Sequence, residues 1–327
     1  MESLTKNRQD RQMLEQMAAR FFAPSVISEI EELTEGYFNV AYKICLSNGK
    51  KVILKVAPSK ETRVMTCEKN IMESEVEAMK IVGAVYGIPA PKVLGYDGSC
   101  QICKSPYFFM EIIQGESLSM VKGTLTKEQV QSIYMETGRI IRQVNEIACP
   151  CFGYPGQPEF QGKEWFPVFK KMLEAGIQDA VSGHVDLMIP IEKLWQCLER
   201  DKFAFEEVTK PYLVHWDCWD GNIFVKDGKV TGIIDWERCL WADPLLEVNF
   251  RIHEDNVWFR KGYGKEHLTE NEYRRALWYD VYQMILASLE CEYRKYDTMD
   301  MYHWAADILK KQFEQLNLLS VNQAILE

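Results

Sequence analysis

No apolar run in this 327-residue sequence approaches the roughly 18 residues that span a bilayer, so no membrane partner is expected. Met1–Arg20 is polar and of mixed charge, without the apolar stretch of a secretory leader. A cytoplasmic location is the default expectation. Basic residues are not in excess either: 38 Lys and Arg against 48 Asp and Glu leave a formal charge of −10. That balance argues against a nucleic-acid partner and is compatible with a cationic small molecule or with plain solubility. There is no G-x-G-x-x-G, no internal repeat and no compositionally biased tract. The ten cysteines need not pair in a reducing compartment. Their two close pairs, Cys100 with Cys103 and Cys149 with Cys151, lack the second pair or His partners of a four-ligand zinc site.

What is present is enough apolar sequence, 47% with 26% charged, for a chain of this length to build two lobes. The chemistry concentrates between Tyr212 and Glu237. Short β-branched runs at Tyr212–Val214, Ile223–Val225 and Val230–Ile234 surround an Asp-Gly turn in Lys226–Lys229, the signature of a hairpin. Such a hairpin carries His215, Asp217, Asn222 and Asp235 to one end of a sheet. A carboxylate, an amide five residues on and a second carboxylate after a hairpin form a phosphoryl-transfer constellation. One Asp accepts the hydroxyl proton, while the Asn and the other Asp hold Mg²⁺ against nucleotide phosphates.

Upstream, the spacing of Met13, Met17, Phe21, Ile27 and Ile30 predicts one or two helices over residues 9–33, interrupted at Ala23-Pro24. A hairpin follows, 36–45 and 51–57 around Asn48-Gly49. The turn Gly36-Tyr37-Phe38-Asn39 just before it can close over nucleotide phosphates or be an ordinary turn. Lys55 lies in the apolar strand Val52–Val56, where an ammonium calls for an anion unless it snorkels at an edge. On the helix expected over 66–85, Glu75 sits beside the apolar stripe of Met72, Val76 and Met79, while Glu73 and Glu77 point to solvent. Strands are expected at 92–96 and 107–113. The backbone of Met110–Ile113, Met110 and Ile112 included, is the candidate for reading an adenine edge.

From about residue 114 the pattern turns helical, placing a boundary between a lobe over 1–113 and one over 114–327. Thr126 with Gln129 makes a capping box. Helices are expected at 169–180, 189–207, 270–294 and 300–316, and Asp243-Pro244 reads as the start of a helix over 245–250.

Taken in order, these parts follow those of a protein kinase, yet Asp235 is followed by Trp-Glu rather than Phe-Gly, and Asp243-Pro244 comes too soon for an activation loop. The chain instead resembles the aminoglycoside phosphotransferase and choline-kinase-like family. The resemblance rests on His215-Trp-Asp-Cys-Trp-Asp-Gly-Asn222-Ile-Phe-Val, Gly232-Ile-Ile-Asp-Trp-Glu237 and Trp241-Ala-Asp-Pro244. Val52–Val56, Glu75–Met79, Pro89–Leu94 and Tyr263-Gly264 fit more loosely. It implies an α+β, bilobal, protein-kinase-like fold with a small antiparallel sheet lobe and a larger helical lobe. It implies ATP or GTP as co-substrate, Asp217 as catalytic base, Asn222 and Asp235 as Mg²⁺ ligands, Lys55 as phosphate lysine and Glu75 as its partner, with Gly36 and Asn39 in a reduced phosphate loop. Two positions depart from the family pattern: Trp216 stands where Gly is usual, and Asn145 where His is common.

The acceptor implied is a hydroxyl-bearing small molecule: an aminoglycoside, a macrolide, choline, a sugar or another metabolite. Asp220, Glu237, Glu254, Asp255, Glu290 and Glu292 could receive a cationic one. A non-catalytic nucleotide-binding module and a kinase of other proteins are the competing readings. Mg²⁺-dependent ATP turnover excludes the first, and transfer to peptides would favour the second. Oligomeric state leaves no trace in the sequence.

Overall fold

The structure, a computed structural model, describes residues 6–34 and 38–326, with side chains as far as residue 319. The expected Gly36 lies outside the described residues. Helix α1 (Arg11–Phe22) starts at Asp10, whose carboxylate accepts from the Met13 amide. Strands β1 (Ile27–Leu33), β2 (Val40–Leu46) and β3 (Lys51–Val56) follow, then α2 (Ile71–Gly83), β4 (Val93–Asp97) and β5 (Tyr107–Glu111). The five strands pair antiparallel in the order β1-β2-β3-β5-β4. One face of the sheet buries Tyr42, Ile44, Val52, Leu54, Tyr107 and Phe109 against Leu14, Met17 and Phe21 of α1. The opposite face carries Ile53, Phe108 and Met110 onto α2 and the remainder of the chain.

Residues 27–33 form a strand, not the helix expected there. A bulge between Ile27 and Glu29 shifts the register, so that Ile27 pairs with Leu46 and Ile30 with Ile44. The extra residue turns a spacing of two into three, which imitates one face of a helix.

The rest of the chain is mainly helical. It contains β6 (Glu116–Ser117), α3 (Leu118–Val121), α4 (Lys127–Val144), α5 (Trp165–Gly183), α6 (Ile191–Arg200) and α7 (Lys202–Phe205). Then come β7 (Tyr212–Val214), β8 (Ile223–Lys226), β9 (Lys229–Ile233), β10 (Leu240–Ala242), α8 (Val257–Tyr263), α9 (Glu270–Arg294) and α10 (Asp300–Leu326). Thr126 and Gln129 cap α4 reciprocally, as expected, and Thr269 with Glu272 does the same for α9. The helix expected over 189–207 is split at Asp201, whose fully buried carboxylate takes hydrogen bonds from Arg200, Arg274 and the Trp278 indole. Asp243 does accept from the Leu245 amide, but only single 3-10 turns follow, Pro244–Leu246 and Val248–Phe250. The same carboxylate also binds Arg275 and Tyr279 of α9.

Helices α4 and α8 touch through glycine. A Cβ on Gly138 would lie 2.2 Å from the Phe259 carbonyl oxygen, and one on Gly262 would lie 2.0 Å from that of Met135. No described helix is long and apolar enough to cross a membrane. All ten cysteines are free.

Candidate active site

The sheet lobe contributes Lys55. Its Cα pairs with Ala41 on one side and Phe108 on the other, so the side chain leaves the sheet on the face away from α1. It is buried and bridges two carboxylates, Glu75 Oε1 and Asp235 Oδ1, each 2.6 Å from Nζ. The periodicity argument places Glu75 inward, and it is fully buried on α2 between exposed Glu73 and Glu77. Burial, the largest single influence on Lys55, pushes its pKa down, but Asp235, Glu75 and Glu237 outweigh it and the net shift is upward. The ammonium therefore stays charged, anchored by an anion from each side of the cleft.

The helical part contributes the loop between β7 and β8, the candidate catalytic loop. His215 is fully buried. Its Nδ1 accepts from the Asp217 amide at 3.3 Å, which leaves Nε2 protonated and donating to the Ile234 carbonyl at 3.1 Å. Burial lowers the ring pKa to about 4, so the imidazole is a neutral strut between the loop and the strand end that presents Asp235. Asn222 donates to the Asp217 carbonyl oxygen at 2.8 Å and to its Oδ2 at 3.3 Å. The Asn222 carbonyl accepts from the Ile234 amide at 3.0 Å. His215, Asp217 and Asn222 are thus brought together, next to the strand end that carries Asp235.

Two backbone positions at the site are left-handed, Trp216 in this loop and Asp235 just after β9, both at φ +67°. The first explains why glycine suits position 216. Here a tryptophan accepts the strained conformation, its ring stacked on Tyr282 with centroids 5.6 Å apart. A residue that escaped the sequence reading holds it there. Glu247, 1% exposed, accepts from the His215 amide at 2.9 Å, the Trp216 amide at 2.9 Å and Asn145 Nδ2 at 3.0 Å. Asn145 in turn donates to the Leu213 carbonyl at 2.8 Å and accepts from the Tyr263 hydroxyl at 3.0 Å. Asn145 is therefore fully used. Glu247 lies four residues past Asp243, and the acidic residue so close to the Asp-Pro turn was the available signal.

Asp217 is pushed up to about 6, chiefly by burial; Arg238 and Arg251 pull it down, and Asp235 raises it. Cys218, next to it, is buried with its thiol pushed well up by that burial, the state of a packing residue rather than a nucleophile.

Oxygen donors for a divalent cation converge here. Glu75, Asp235 and Glu237 offer ligand atoms within 4.8 Å of one another, the one such grouping among the described residues. Glu75 Oε2 is buried without a partner, and the Asn222 bonds above use its amide nitrogen, leaving its oxygen as the remaining acceptor. An all-oxygen set suits Mg²⁺. Cys100 and Cys103 find no third ligand among the described residues. Asn39, expected in the phosphate loop, is buried and donates to Glu237 Oε2 at 2.6 Å, which ties the start of β2 to the residue two beyond Asp235. Met110 is buried at the end of β5 opposite Ile53. Ile112 lines a cavity of about 450 Å³ together with Lys43, Lys50, Lys51, Glu111 and Gln114. Ile113 packs onto β9, where a Cβ on Gly232 would come within 2.5 Å of it.

Comparison with known proteins agrees with this geometry. The profile described as the phosphotransferase enzyme family matches residues 29–276. A subtelomeric hrmA-associated cluster protein of Aspergillus fumigatus is 29% identical over 126 residues, which is 38% of this chain but only 24% of that protein. The chain thus aligns with about a quarter of that curated relative's length. Among solved structures, the streptomycin–ATP–APH(2")-IIa ternary complex superposes with a TM-score of 0.62 at 15% identity, covering 93% of this chain and 97% of that one. A thermostable mutant of aminoglycoside phosphotransferase APH(4)-Ia, in ternary complex with AMP-PNP and hygromycin B, gives 0.61 at 17% identity, covering 92% and 98%. At such identities the likeness establishes the bilobal α+β fold.

Proposed function

The chain belongs to the phosphotransferase enzyme family, and on that premise we propose that it moves the γ-phosphoryl group of ATP, or of GTP, to a hydroxyl of a small molecule. The observation that carries this reading is the bridge from Lys55 to both Glu75 and Asp235, facing a loop that holds Asp217 and Asn222 in contact. A nucleotide-binding lobe over 1–113 supplies the lysine, and a lobe over 114–327 supplies the loop. The purine edge meets the backbone near Met110 and Ile112, and Asn39 with Gly36 belongs to the segment above the phosphates.

In this reading Lys55 exchanges Asp235 for phosphate oxygens while Glu75 keeps it aimed. Asp217, ionised above about pH 6, orients the acceptor hydroxyl and takes its proton late in the transfer. As the O–P bond to the acceptor forms, the bond from the γ-phosphorus to the β–γ bridging oxygen breaks, and the electron pair leaves with the diphosphate. Asn222 and Asp235 would hold Mg²⁺, with Glu237 beside them, and the bound ion supplies neutralisation of phosphate charge. Positioning and electrostatics account for the chemistry asked of the protein. The solved relatives named above were captured with ATP or AMP-PNP and an aminoglycoside, which supports a nucleotide and a small-molecule acceptor.

The test is a panel. Purified protein, Mg²⁺ and ATP or GTP are incubated with aminoglycosides, macrolides, amino alcohols, sugars and hydroxy acids, and an 80 Da gain (the mass of one added phosphoryl group, roughly) is sought by mass spectrometry. Nucleotide binding without turnover on any acceptor or water would favour a non-catalytic binding module instead.

A further inference from the structure

The acidic residues that could receive a cationic acceptor are already engaged. Asp220 binds Lys122 at 2.6 Å and the Tyr134 hydroxyl at 2.8 Å. Glu237 holds Asn39, and Glu290 pairs with Arg238 at 2.8 Å and with Arg294. Asp255 and Glu292 pair with Arg260 and Lys295. Of the six, Glu254 alone is left, and it is exposed.

The cations around Asp217 are less evenly matched. Arg238 has Glu290, and its guanidinium lies 5.9 Å from the centre of the Trp216 ring. Arg251 has no ion pair among the described residues. Its Nε donates to Gln283 Oε1 at 3.0 Å, and Gln283 is held in that orientation because its own amide nitrogen donates to the Leu246 carbonyl. The partner is therefore neutral. Asp280, on α9, accepts on Oδ2 from the Ile252 amide, His253 Nδ1 and Gln312. The terminal nitrogens of Arg251 make no hydrogen bond among the described residues, and burial draws the group's pKa down against the opposing charges of Asp217 and Asp280.

Arg251 is also carried to the reaction centre by its own segment. Glu247 grips the His215 and Trp216 amides, and Asn249 donates to the Cys218 carbonyl at 2.8 Å. Arg251 follows two residues later, at the end of the 3-10 turn. It is close enough for its charge to act on the Asp217 carboxyl. A planar guanidinium with two free terminal nitrogens is the side chain best matched to a carboxylate or phosphate.

Resting on the phosphotransferase reading, we propose that the acceptor carries an oxyanion, which the free edge of Arg251 seats while the hydroxyl is presented to Asp217. The substrate class is then a hydroxylated carboxylate or phosphate ester rather than a polyamine sugar. Arg251 acts as the anchor, and the electrostatic match selects against cationic acceptors, whose ammonium would face Arg238 and Arg251.

Four probes of one carbon skeleton test this: glycerate, glycerol 3-phosphate, glycerol and 3-amino-1,2-propanediol. Each is titrated into the protein saturated with Mg²⁺ and ADP, so that Lys55 is occupied, and binding is followed by saturation-transfer NMR. One anion at least should bind saturably, about tenfold or more tighter than glycerol and the aminodiol. Which anion binds separates a carboxylate acceptor from a phosphate one. Arg251→Gln should erase the preference while ADP affinity stays within about twofold, the size of change expected for a site it does not touch. The proposal is overturned if neither anion exceeds glycerol, if the aminodiol binds best, or if the preference survives in Arg251→Gln. Those outcomes leave nucleotide binding intact and so spare the phosphotransferase reading. Failure of ADP to bind the wild-type protein would remove that reading and this inference with it. Should Arg251→Gln not fold, the four-probe ranking on the wild-type protein decides alone.

Discussion

Glu247 offers the sharpest perturbation, because one buried carboxylate accepts three hydrogen bonds that hold the catalytic loop. Each buried donor left without an acceptor costs about 1–3 kcal/mol. Glu247→Ala orphans all three, on the order of 3–9 kcal/mol, against a total stability of about 5–15 kcal/mol. That variant would test folding rather than function. Glu247→Gln is gentler. Its remaining carbonyl oxygen can keep the His215 amide and Asn145, while its NH₂ faces the Trp216 N–H and one bond is lost, at roughly 1–3 kcal/mol. The bond lost is the one fixing Trp216 at φ +67°, a conformation that costs a residue with a side chain about 1–2 kcal/mol. The loop then relaxes next to Asp217, and a displacement near 1 Å costs about 10²-fold in rate. The expected outcome is a kcat lower by about two orders of magnitude and a melting temperature lower by several degrees. ADP affinity should be unchanged, because the retained His215 bond keeps the strut to the strand end that presents Asp235, and Lys55 lies on β3 of the other lobe. Calorimetry, nucleotide titration and steady-state kinetics on one preparation read all three. Wild-type kcat together with an unshifted melting temperature would refute the reasoning.

Glu75→Gln leaves Asp235 as the only ion-pair partner of Lys55, so the lysine should be misdirected before nucleotide arrives. kcat/KM for ATP is expected to fall about 10- to 100-fold, and an unchanged value in steady-state kinetics would show that Glu75 does not position Lys55. Trp216→Gly relieves about 1–2 kcal/mol of backbone strain but removes a nearly buried indole worth about 3–5 kcal/mol. Chemical denaturation should therefore find the variant less stable by roughly 1–4 kcal/mol; a gain in stability would mean that the strain outweighs the packing. The Asp217 carboxyl is held up to about 6 by burial and works in its ionised form. kcat/KM should therefore be full above that pH and decline as pH falls through it. A profile flat down to pH 4.5, a drop of about 1.5 units below the expected limb, would contradict the assignment.

The candidate site residues were legible in the sequence because the chemistry proposed for them constrains both type and spacing. Asp217, Asn222 and Asp235 stand at intervals that a hairpin must bring together, and an ammonium in an apolar strand demanded the partner that helical periodicity assigned to Glu75. The five-stranded sheet was legible except at β1, where a bulge gives Ile27 and Ile30 a helical interval. Glu247 stayed hidden because its role depends on two backbone amides more than thirty positions away in sequence, and no local pattern encodes such a contact. Glu237 was read as acceptor-facing for a similar reason: only the fold shows it closing against Asn39. The six acidic residues suggested a cationic acceptor while their partners were unknown. Pairing them off leaves Arg251, beside Asp217, without an ion pair among the described residues, and such pairing is visible only in the folded chain.

Phosphoryl transfer by the wild-type protein and by Asp217→Asn, measured side by side with nucleotide affinity, bears most directly on the central claim. Product phosphate on the acceptor hydroxyl is counted by mass under saturating Mg²⁺ and ATP. The wild type should phosphorylate the hydroxyl, and the variant should bind ATP equally well while transferring about 10²–10⁴-fold more slowly. Transfer by Asp217→Asn at the wild-type rate would contradict the account at its centre.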